Sequence, residues 1–222
     1  HGWDSDQAHY QVRAEELAAL GCVCLIFDLR GHGRREDVKA SVSREDNLRD
    51  VLAAFDLLAH QPGVDANAMA LIGTSYGGYL AAIASGMRNV RWMALRVPAL
   101  YPDARWNVPK EQLDRAEIRT YRSQVRAPDS DRALSACRAF HGDAFVAGSE
   151  CDVVVPAPAI ASYVRAFQDA RSITHRMIEG ADHGLSDERS QRTYDGLLSA
   201  WLTEMILAAR SPHVSARGRA AA

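Results

Sequence analysis

Lysine is almost absent from this chain: only Lys39 and Lys110 occur, and arginine supplies nearly all the basic charge. With 26 basic against 28 acidic residues the formal charge is −2, so no excess of cation draws the protein to nucleic acid or to an anionic membrane. Long apolar runs are missing too. None approaches the ~20 residues of a membrane span, and no stretch has the order of a signal peptide. Cysteine is sparse, and Cys22, Cys24, Cys137 and Cys151 match no zinc spacing. They read as reduced, small apolar residues in a cytoplasmic setting, Cys22 and Cys24 on one face of a buried strand, with no metal and no other cofactor implied. No internal repeat is present.

What remains is an alternation of short apolar runs with helical patterns, over a length that suits one domain with a real core. Helices are expected over 6–20, 44–60, 157–170 and 186–208. Strands are expected at 22–27, 68–72, 90–97, 143–148 and 173–178. Ser43 should cap the second helix, with Asp46 three residues on, and Pro62-Gly63 should end it. The last helix has the clearest period: Tyr194, Leu197, Leu198, Trp201, Leu202, Met205 and Ile206. Such alternation predicts an α/β fold, a mostly parallel sheet with helices on both faces. Within a domain of 1–209, four prolines punctuate 98–128, which reads as a small cap or lid. Residues 210–222 are Arg, Ala, Ser and Gly without period and read as a disordered tail.

One motif carries chemistry. Gly73-Thr74-Ser75-Tyr76-Gly77-Gly78 follows the apolar run 68–72 and precedes small, helix-tolerant residues. G-x-S-x-G between strand and helix is a nucleophile elbow, with the serine on a strained turn and no room for side chains at Gly73 and Gly77. A serine nucleophile needs a base, and the base needs an orienting acid. In a parallel sheet these hang from loops at the C-terminal strand ends. His183, in the glycine-flanked loop after the last strand, is the candidate base. His175 lies within a strand, His60 ends a helix, His213 is in the tail, and His32 and His141 occupy other loops. Asp152, after the 143–148 strand, is the candidate acid, with Glu150 and Asp182 as rivals. An oxyanion hole needs two backbone N–H groups. Tyr76 should give one and Trp3, in His1-Gly2-Trp3, the other. Tyr101 and Trp106 are expected to form the apolar wall of the substrate site.

Through His1-Gly2-Trp3, Asp28-Leu29-Arg30-Gly31-His32-Gly33, the elbow, the Asp152 loop and the His183 loop, the sequence resembles the α/β-hydrolase superfamily over nearly its whole length. Ser75-Tyr76-Gly77-Gly78-Tyr79 is most similar to its dienelactone hydrolase and prolyl oligopeptidase branches. The resemblance implies a cofactor-free serine hydrolase acting on a small-molecule ester of a small to medium acyl group. A thioesterase or acyltransferase, a small peptidase, or a non-catalytic truncated domain are the alternatives. It also implies that Asp28 to Gly33 form a structural turn, and that the first strands of the fold are missing here. One of those strands belongs between 22–27 and 68–72, so these two runs should not be hydrogen-bonded neighbours.

Overall fold

A computed structural model describes residues 1–210. Its strands are β1 (Ala70–Thr74), β2 (Trp92–Arg96), β3 (Asp143–Ser149) and β4 (Ser172–Ile178), all parallel and adjacent in chain order. The helices are α1 (Gln11–Ala19), α2 (Arg44–Ala59), α3 (Tyr76–Ser85), α4 (Arg115–Arg122), α5 (Arg132–Arg138), α6 (Ala157–Ala166) and α7 (Glu188–Arg210). Successive strand residues face opposite ways, and this divides the core in two. Met93, Leu95, Ala144 and Val146 pack with α2, α3, α5 and α6. Trp92, Ala94, Phe145 and Ala147 pack with α1 and α7 on the other face. Helices therefore cover both faces, as the alternation predicted.

Local signals account for several of these elements. The Ser43 hydroxyl accepts from the Asp46 N–H, and the Asp46 carboxylate accepts from the Ser43 N–H, so α2 opens on a capping box. Nine of the ten residues of α3 are buried, which its small apolar sequence permits. In α7, Tyr194, Leu198, Trp201 and Leu202 are buried, and Leu197, Met205 and Ile206 pack around them. Asp131, accepting from the N–H groups of Ala133 and Leu134, starts the short α5, which the sequence pattern did not reveal. The expected tail lies outside the described residues, except Arg210, which ends α7.

One expectation fails. Residues 22–27 form no strand and pair with no other segment among the described residues. Val23 is 57% exposed and Leu25 37%, and Cys24 is exposed where a buried strand residue was expected. Cys151 is likewise exposed, while Cys137 alone of the four is fully buried. A strand needs a partner to take up its N–H and C=O groups, and none is adjacent. As the resemblance implied, 22–27 and 68–72 are not bonded neighbours. A cleft of about 530 Å³ lies there, lined by 21–27 on one side, 68–72 on the other, and by Phe55, Leu58 and His1. β1 is thus an edge strand with its outer side open.

Candidate active site

Each of the four strands ends at the site. Ser75 follows β1 in a backbone conformation (φ 52, ψ −113) that L-residues seldom adopt. Its N–H donates to the Arg96 carbonyl, and its own carbonyl accepts from Tyr79 and Ala99, which fixes the turn. Val97, just past β2, is also at positive φ (39), an unusual state for a β-branched residue. The glycines have steric reasons. A Cβ on Gly73 would sit 2.5 Å from the Gly77 carbonyl oxygen, and one on Gly77 would sit 2.6 Å from the His1 carbonyl oxygen. Gly77 is needed for docking the His1 segment, a reason distinct from the sharpness of the turn.

β3 and β4 bring the partners. His183 Nε2 lies 3.0 Å from Ser75 Oγ, and Nδ1 lies 2.6 Å from Asp152 Oδ2. With its proton on Nδ1, the ring donates to the carboxylate and accepts from the hydroxyl. The second Asp152 oxygen accepts from the N–H groups of Val154 and Val155, 2.7 Å each, so the carboxylate is locked while its side chain is only 2% exposed. The rivals are engaged elsewhere: Glu150 accepts from the Gly180 N–H, and Asp182 caps its own loop at Ser186.

His1-Gly2-Trp3 reaches the same point from the other side. A Cβ on Gly2 would lie 3.7 Å from Ser75 Cβ. Neither the Trp3 N–H nor the Tyr76 N–H donates a hydrogen bond among the described residues. The loop is held by its histidines: the Leu29 N–H donates to His1 Nε2, and buried His32 binds the Trp3 carbonyl through Nε2. The turn from Asp28 to Gly33 is structural, with Gly31 and Gly33 at positive φ and Asp28 accepting from the Gln7 N–H.

Segment 98–128 runs beside these loops. Pro109 bridges to Ser43, the Lys110 N–H donates to the Val42 carbonyl, and Arg122 donates to the Val154 carbonyl beyond Asp152. Tyr101 is buried behind Tyr76, ring to ring at 6.0 Å. Trp106 is held between the guanidinium groups of Arg44 and Arg132 and packs against the core cluster that includes Tyr76 and Tyr101. Sequence reasoning passed over Arg96. This buried residue at the end of β2 donates to the His183 carbonyl at 2.8 Å and so positions the loop of the imidazole. Burial lowers its pKa below the usual arginine value. The available signal was a lone arginine inside an apolar strand. Among the described residues no cluster of side chains is placed to hold a metal, and no helix is long and apolar enough to cross a membrane.

The sequence pattern of the prolyl oligopeptidase family matches residues 8–208. No curated protein matches. Solved structures do, at low identity. A monoacylglycerol lipase from Paleococcus ferrophilus has a TM-score of 0.65 and 16% identity, with 92% of each chain covered. Est1E from Butyrivibrio proteoclasticus, bound to ferulic acid, gives 0.67 and 17%, over 94% of this chain and 86% of its own. The metagenome-derived lipolytic enzymes LipS and LipT give 0.70 and 16%, over 92% and 91%. These likenesses establish the α/β-hydrolase fold.

Proposed function

Given that the chain belongs to the prolyl oligopeptidase family, we propose that it is a serine hydrolase of carboxylic esters with small to medium acyl groups. The observation that carries this reading is the unbroken line from Ser75 Oγ through His183 to Asp152, on a serine at positive φ. Ser75 Oγ bonds to the ester carbonyl carbon while His183 Nε2 takes its proton, and Asp152 holds the imidazolium that forms. The carbonyl oxygen, now an alkoxide, accepts from the free N–H groups of Trp3 and Tyr76. When the tetrahedral adduct collapses, the alcohol leaves with the proton from Nε2. Water then enters by the same route, gives its proton to His183, and releases the acid and Ser75.

Esters are favoured over thioesters and peptides by the neighbours, whose names are those of lipases and esterases. The family name favours a peptide bond instead. A chromogenic butyrate ester and a prolyl anilide separate the two. A fluorophosphonate probe tests the nucleophile: it should label the chain and fail to label Ser75→Ala, and labelling that survives the substitution would overturn the reading.

A further inference from the structure

Three cationic side chains surround the ring of Tyr101: Arg122 at 4.6 Å from its centroid, and Arg44 and Lys110 at 5.7 Å each. The chain as a whole has an acidic excess, yet none of the three has a carboxylate within ion-pair distance among the described residues. Two are occupied by backbone. Arg44 donates to the carbonyls of Pro102 and Ala104, and Arg122 to those of Leu100 and Val154. These two act as staples that hold the cap segment.

Lys110 is different. Its Nζ lies 3.8 Å from the Trp3 ring centroid and 5.1 Å from that of Tyr76, and no hydrogen-bond acceptor meets it among the described residues. Cation–π contact stabilises such an ammonium only in part, because it has left water. Desolvation, then repulsion from Arg122 and Lys39, outweigh the attraction of Asp4 and Glu111, and the Lys110 pKa falls from 10.5 to about 7. Asp4 is itself engaged by Lys39 at 3.2 Å and is 87% exposed. An ammonium with unused donors, among cations and over aromatic faces, lacks one thing: an anion.

Its position says which part of a substrate would carry that anion. Trp3 and Tyr76 are the residues whose free N–H groups flank Ser75. The alcohol must leave beside His183 Nε2, which returns its proton. A group gathered with Trp3, Tyr76 and Tyr101, and not with His183, therefore stands on the acyl side. We propose that Lys110 binds a carboxylate at the far end of the acyl chain, so that the preferred substrates are monoesters of dicarboxylic acids. This rests on Ser75 being the nucleophile. The carboxylate undergoes no chemistry; it supplies the missing acceptor and offsets the repulsion among the three cations.

The test compares 4-nitrophenyl hemiglutarate with 4-nitrophenyl pentanoate, which have the same acyl length and differ in the terminal carboxylate. Below pH of about 7 the kcat/KM ratio should favour the hemiester, and Lys110→Met should lower that ratio about tenfold or more. In the unsubstituted chain the ratio should decline as pH rises through about 7, where Lys110 loses its proton. Any group that both esters need cancels from the ratio. Lys110→Arg should retain the preference at higher pH, because a guanidinium stays charged. A ratio that is equal in the unsubstituted chain and in Lys110→Met overturns the proposal. Glutarate alone gives a readout that needs no turnover: it should raise the melting temperature of Ser75→Ala and not that of Lys110→Met. If neither ester is cleaved and no fluorophosphonate labels the chain, yet glutarate still stabilises through Lys110, the hydrolase reading falls and the anion site stands. Active cleavage of the pentanoate with no glutarate effect and a flat ratio sinks the anion site alone.

Discussion

Two apolar runs of similar length have opposite fates in this molecule. Every residue of β3 is buried, paired with β2 on one side and β4 on the other. Residues 22–27, richer than β3 in Val, Ile, Leu and Phe, take up no ladder and leave Val23 and Leu25 in the open. Strand propensity favours 22–27 over β3. What differs is the neighbour: a strand is a property of a pair, and its intrinsic preference of about 1 kcal/mol cannot replace the ladder. The molecule thus has a closed half, β2 to β4 with α3, α5 and α6, and an open half along β1. Asp152 and His183 hang from strand ends of the closed half, and Ser75, at the end of β1, is tied to that half through the Arg96 carbonyl and the Ala99 N–H. Trp3 hangs from the open side with no such tie to β2.

The largest expected effect tests the closed half. Ser75→Ala should lower ester turnover by about 10⁵-fold or more without unfolding the chain, read from kcat and circular dichroism together. Next comes packing. Leu95→Ala, at a fully buried β2 position, should cost about 2–5 kcal/mol in urea unfolding. The open half should respond in kind but less strongly. His32→Ala frees the Trp3 carbonyl and should loosen the Trp3 N–H proposed as an oxyanion donor, reducing kcat by about tenfold to a hundredfold with little change in KM. An equal loss from His32→Ala and Ser75→Ala would erase the distinction.

The smallest effect is Val23→Ala, within about 0.5 kcal/mol, because the side chain already faces solvent. A loss comparable to that of Leu95→Ala would show that 22–27 is packed in solution.

Where the sequence could be read, the signal was local. The Ser43 and Asp46 box of α2, the period of α7, and Gly73 before Ser75 each lie within a few residues of what they determine. Asp152 and His183 were legible because strand ends in a parallel sheet face one way. Residues 22–27 misled because pairing is nonlocal. The cationic partners of Trp106, Arg44 and Arg132, were not legible because an aromatic among prolines says nothing of what it packs against. Arg96 was missed for the same reason: the carbonyl it binds belongs to His183, far along the chain.

The open side of β1 has a kinetic consequence. The proposed ester cleavage is first order in protein, whereas edge-to-edge pairing of two copies along unpaired backbone would be second order. Concentrating the protein therefore favours the second process over the first, and turnover per molecule becomes a function of how the sample was handled. Dilution series, compared at equal total activity, belong with every rate measured on this chain.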